Sequence, residues 1–233
     1  MDKEKESPLV RQGDDVAAFL RAARETSPLA RSGRGRLIFA LDATMSRQPM
    51  WDMALGLQAR MFEVAEKLGG LDVQLVYYRG FNECRASSFV SGGQGLANLM
   101  SRIAVKSGVT QIRRVLAHAR DESKRQRVGA LVFVGDAMEE NPDELSAVAG
   151  ELALQGVKAF LFQEGHDRSA RRTFMDIARL TGGAYGAFDA GAAGRLEALL
   201  RAAAAYAAGG HAALVKVASA DSEARLLLSQ MQR

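Results

Sequence analysis

Leu37-Ile38-Phe39-Ala40-Leu41-Asp42-Ala43-Thr44-Met45-Ser46 is the stretch on which the fold turns. Apolar residues in a row, without alternation, are what a strand buried on both faces requires, because a parallel sheet carries helices on each side. The run then gives way to one carboxylate and two hydroxyls at alternate positions, Asp42, Thr44 and Ser46. Helical spacing follows over 48–68 through Met50, Met53, Ala54, Leu57, Met61 and Val64, and Gly69-Gly70 ends it.

Outward from this unit the same alternation continues. Strands are predicted over 72–78, 128–134, 157–162 and 184–188, with an edge strand around 82–85 before the Ser91-Gly92-Gly93 break. Helices are predicted over 94–103, 111–124, 169–180 and 192–208. Another starts at Asn141-Pro142-Asp143-Glu144, where an Asn cap, a first-turn Pro and acids on the positive end of the dipole coincide. Regular strand–helix alternation predicts an α/β fold, a doubly wound, mostly parallel sheet with helices on both faces. Residues 1–34 read as an N-terminal extension, with a short helix over 14–25 and a basic linker, Arg31 to Arg36. The apolar stripe Val16, Phe19, Leu20 and Ala23 is expected to dock on the α/β domain of residues 35–208, because so short a helix is marginal in water. Residues 209–233 form a tail with scattered apolar positions, either a terminal helix or a partner-binding segment.

Composition narrows the function. With 48% apolar and 25% charged residues over 233 positions, the bulk of the chain is globular and not disordered. A net charge of +4 is too weak to argue for nucleic acid. Cys84 is the single cysteine, so a disulfide framework is excluded and a zinc cluster is disfavoured. The charged start, Met1 to Glu6, is not a signal peptide, and no stretch approaches the ~18 apolar residues of a membrane span. A soluble, cytoplasmic protein with neither a nucleic-acid nor a membrane partner is expected. Arg outnumbers Lys 24 to 7 and Ala is frequent, which associates with a GC-rich bacterial genome.

Ligands of an open parallel sheet gather outside the carboxyl ends of its strands. Past the first strand lie Asp42, Thr44 and Ser46, past the third buried strand Asp136, and at the start of the 111–124 helix Ser107-Gly108-Val109-Thr110. Carboxylates and hydroxyls without His or Cys are a hard-oxygen set, suited to Mg²⁺ or Mn²⁺ and not to zinc. Asp42-x-Thr44-x-Ser46 with the later Thr110 and Asp136 resembles the metal-ion-dependent adhesion site of von Willebrand factor type A domains, over roughly residues 35–208. The resemblance implies that Thr44 and Ser46 are first-loop ligands beside Asp42, that Thr110 comes from the second loop, and that Asp136 comes from the third, often through water. Three departures stand out: Thr44 where Ser is commoner, Ser107-Gly108-Val109 in place of a double Gly, and Ala137 in place of Gly.

Other residues read as structural. Glu139, Glu140, Asp143, Glu144, Glu164 and Asp167 also follow strands and are expected to be solvated acids near helix N-termini. Met50 and Trp51 are expected in the core, and Cys84, His118, His166 and His211 have no partner at catalytic spacing. Gly92-Gly93-Gln94-Gly95 lacks the lysine of a phosphate loop and follows no strong strand signal. The leading expectation is therefore a non-enzymatic module in which a divalent cation, Mg²⁺ or Mn²⁺, holds an acidic side chain of a protein partner. Two alternatives are a metal-dependent phosphatase with Asp42 as nucleophile, weakened by Thr44 where a second Asp is usual, and a metal-free scaffold.

Overall fold

β1 (Gly35–Asp42) lies in the middle of a six-stranded sheet, and its unbroken apolar sequence is the consequence. The computed structural model describes residues 33–44, 48–189 and 192–231. In chain order β1 is followed by α1 (Gln48–Glu66), β2 (Leu71–Arg79), β3 (Glu83–Ser91), α2 (Gly93–Met100) and α3 (Ile112–Arg125). Then come β4 (Ala130–Gly135), α4 (Pro142–Leu154), β5 (Lys158–Glu164), α5 (Arg168–Thr181), β6 (Ala184–Phe188), α6 (Ala193–Ala218) and α7 (Ser222–Met231). The strand order is β3-β2-β1-β4-β5-β6, parallel throughout except for the antiparallel β2–β3 hairpin. The expected doubly wound, mostly parallel sheet is present.

Period-two alternation along β1 feeds two cores. Leu37, Phe39 and Leu41 pack on one face with Met50, Met61, Leu199 and the alanines of α6. Ile38 and Ala40 pack on the other with Val76, Tyr78, Phe133, Phe174 and the apolar stripes of α3, α4 and α5. Alanine at 202–205 and 207 lets α6 lie close to the sheet: a Cβ on Gly35 would stand 2.3 Å from the Ala207 carbonyl oxygen.

Several expectations change. β3 runs to Ser91, well past the predicted 82–85, because an edge strand with one face in solvent tolerates the polar run Arg85-Ala86-Ser87-Ser88. Gly92 therefore does follow a strand, and α2 opens directly after it. The predicted 94–103 helix stops at Met100, and residues 103–111 form a loop. The helix predicted to end at 208 is followed, across the non-helical Gly210 (φ 72°, ψ −161°), by a further helical stretch to Ala218, so α6 is two helical segments joined at a kink that glycine permits. By length and composition α6 would also suffice to cross a membrane, contrary to the sequence expectation, since alanine counts as apolar. Here it is a core helix, with Leu196, Leu199, Leu200 and Ala202 to Ala205 fully buried.

Of the tail, α7 is a terminal helix, burying Ala224 and Leu227. Its Gln230 side chain behaves as a strand residue toward the edge of β6: Oε1 accepts from Tyr185 N (2.9 Å) and Nε2 donates to Tyr185 O (2.8 Å). That satisfies backbone groups an edge strand would otherwise present. The expected helix over 14–25 and its docking fall outside the described residues, as does the side chain of Trp51.

Candidate metal centre

The sheet winds outward in both directions from β1, to β2 and β3 on one side and to β4, β5 and β6 on the other. Connections therefore diverge at the carboxyl end of β1, leaving the crevice where doubly wound folds bind ligands. Register places the acids there. Leu41 pairs with Val134, so Asp42 is beside Gly135 and Asp136 is one residue beyond; on the other side Asp42 pairs with Tyr78. Adjacent strands stand only ~4.8 Å apart, so the ends of β2, β1 and β4 form one short row.

The first loop starts with Asp42, 3% exposed, whose Oδ1 accepts from the Thr44 backbone N–H at 2.7 Å. This local Asx-type bond fixes the turn just past the strand. Thr44 is 8% exposed, and Ser46 lies outside the described residues.

The second loop is held by the ends of β1 and β2. Lys106 N donates to Ala43 O (3.0 Å), Val109 N to Gly80 O (3.1 Å), and Gln111 Nε2 to the carbonyls of Arg79 and Gly80 (3.2 Å each). Gly108 sits so close to the β2–β3 turn that a Cβ would stand 2.2 Å from Gly80 O. Position 108 therefore has no room for a side chain. This anchoring buries Thr110 at 8% exposure, at the crevice.

The third loop, after β4, completes the arrangement through contacts that sequence reasoning missed. Thr110 N donates to Glu139 Oε2 and Thr110 Oγ1 accepts from Glu139 N, both at 3.1 Å. Glu140 caps α3 from another loop, its carboxylate accepting from Ile112 N and, at 3.0 Å, from Arg113 N. Glu139 and Glu140 are therefore not simply solvated acids: they lock the second loop to the third. Asp143 occupies the first turn of α4 as expected, behind the Asn141 cap (2.9 Å), and Asp167 caps α5 through Ala170 N (2.6 Å).

Tyr78, read from sequence only as part of a strand, is fully buried at the inner wall. Its ring stacks on Phe133 (centroids 6.3 Å, planes 12° apart), and Phe133 meets Phe174 edge-on at 5.4 Å. Burial, and after it the neighbouring Asp42, raise the Tyr78 pKa well above its ordinary value, with Glu140 and Asp136 acting in the same direction. The remaining candidates stay structural. Burial pushes the Cys84 thiol up to about 11, so it is no nucleophile at neutral pH. His118 Nε2 meets Gln74 Oε1 at 2.8 Å, and burial lowers its pKa.

Among the described residues no three His, Cys, Asp or Glu side chains group as a metal site. A cation centre at this end of the sheet would draw on hydroxyls as well as carboxylates. Asp42, Thr44, Thr110 and Asp136 supply that kind of set: two carboxylates, nearly balancing a divalent ion, and neutral oxygens that leave its charge uncompensated toward a further ligand. The residues fit a hard cation such as Mg²⁺ or Mn²⁺.

No family model and no curated protein matches the sequence. Solved structures do match. A von Willebrand factor type A protein from Catenulispora acidiphila aligns at TM-score 0.59 and 16% identity, over 74% of this chain and 43% of that one. An aerotolerance-related membrane protein from Bacteroides fragilis aligns at 0.55 and 15%, over 73% and 98%. Proximal thread matrix protein 1 from the mussel byssus, with a zinc-occupied MIDAS motif, aligns at 0.55 and 13%, over 74% and 46%. Together with the strand order and the crevice at the end of β1, these likenesses establish that the chain has the von Willebrand factor type A fold.

Proposed function

We propose that this chain is a non-enzymatic protein-interaction module that works through a divalent cation, Mg²⁺ or Mn²⁺, at the carboxyl end of β1. Asp42, Thr44, Ser46, Thr110 and Asp136 would hold the cation. Its chemistry when bound is to accept an oxygen ligand from outside, for which an acidic side chain of a protein partner is the natural donor. The observation that carries this reading is the register that sets Asp42 beside Gly135-Asp136, with the buried hydroxyls of Thr44 and Thr110 on the adjoining loops. The zinc-occupied motif in the mussel protein of the same fold supports it. A cytoplasmic setting belongs to the same reading.

Calorimetric titration of Mg²⁺ into wild type and Asp42→Asn tests it. Asparagine keeps an oxygen for the Thr44 N–H and removes only the charge. Because ligand charge count sets the affinity of such sites, binding is expected in wild type and at least about 100-fold weaker in the variant. Equal heats in both proteins would overturn the reading.

A further inference from the structure

Tyr78, the penultimate residue of β2, is on the face shared with Asp42, its register partner, and is fully buried. Among the described residues no group meets the distance and angle of a hydrogen bond with its hydroxyl. The ring itself is well accommodated, stacked on Phe133 in an apolar cluster where phenylalanine would pack equally well. The Asp42 carboxylate is nevertheless near enough to act on the hydroxyl as a hydrogen-bond acceptor short of ideal geometry, so the hydroxyl has a polar neighbour that packing alone does not call for. Its surroundings at that end are carboxylates: Asp42, Asp136 and Glu140 all act on it. Glu140 is already committed to the backbone of α3, and Asp42 gives one oxygen to the Thr44 N–H.

We infer that Tyr78 is a positioning residue of the cation centre: its buried O–H is the donor that orients the Asp42 carboxylate toward a divalent ion. The inference rests on the metal-binding reading above. Donors behind a ligating carboxylate fix its orientation, and their loss typically weakens metal binding by about 10–100-fold.

The test compares Tyr78→Phe with wild type by Mg²⁺ calorimetry and by thermal melting without metal, with Tyr77→Phe as control. Tyr77 lies on the opposite face of β2, its hydroxyl 3.3 Å from Glu83 Oε1. Tyr78→Phe is expected to lose at least about 10-fold in Mg²⁺ affinity, while its metal-free melting temperature is unchanged or raised. Tyr77→Phe should bind as wild type does. Equal affinity in wild type and Tyr78→Phe overturns this inference alone, as does a fall matched by Tyr77→Phe. Absence of binding in wild type overturns the reading beneath it.

Discussion

Phe133→Ala is expected to cost about 3–5 kcal/mol of folding stability, the largest loss from any single truncation near the centre. Phe133 is on the central strand β4 and 1% exposed, so its removal leaves a cavity that the rigid sheet cannot close. The cavity is also badly placed. The ring stacks on Tyr78, meets Phe174 edge-on, and fills the space above Gly135, where a Cβ would approach it to 2.8 Å. Tyr78 and the Gly135-Asp136 turn thus lose their common support, and Mg²⁺ affinity should fall together with stability. Urea unfolding measures the first effect and calorimetry the second. A loss below about 1 kcal/mol would show that the site can collapse around the cavity, contrary to the packing described.

Gly35→Val should be nearly as damaging, for the opposite reason. The first added carbon would stand 2.3 Å from Ala207 O and 2.6 Å from Ala208 Cα, both backbone atoms of α6. A flexible side chain can turn away from such an approach, but a helix backbone has to move as a body. Separating α6 from β1 unpacks the fully buried row Ala202 to Ala205, so we expect the upper end of the range for overpacked cores, about 3 kcal/mol. Gly56→Ala is the matching contrast. Gly56 lies within α1 with nothing within 4 Å of an added Cβ, and the substitution should gain roughly 0.5–1 kcal/mol from helix propensity. Equal denaturation midpoints for the two variants would contradict the close seating of α6.

What could be read from sequence was whatever is periodic and local. The unbroken apolar runs at 37–41 and 130–134 mark central strands because burial on both faces leaves no room for polar alternation. The position of Asp42 and Asp136 at strand ends, and of Thr110 just before a helix, followed from the same alternation. Elements whose partners are distant in sequence were less legible. β3 is polar because it is an edge, so its residues carry little strand signal. Gly209-Gly210 does mark a break between two helical segments; what no local pattern announces is that Leu214 and Ala218 beyond it are buried against the same core. Within the site, Glu139 and Glu140 act on Thr110, Ile112 and Arg113, nearly thirty residues away, and no local pattern announces such a cap. Tyr78 was legible as a strand residue; only the register beside Asp42 shows what its hydroxyl faces.

The central claim is that the three loops form one cation centre, and crystals grown with Mn²⁺ address it most directly. An anomalous difference map is predicted to show a single strong peak bounded by Asp42, Thr44, Ser46, Thr110 and Asp136. A map in which those five side chains are ordered and no peak lies among them would contradict the account.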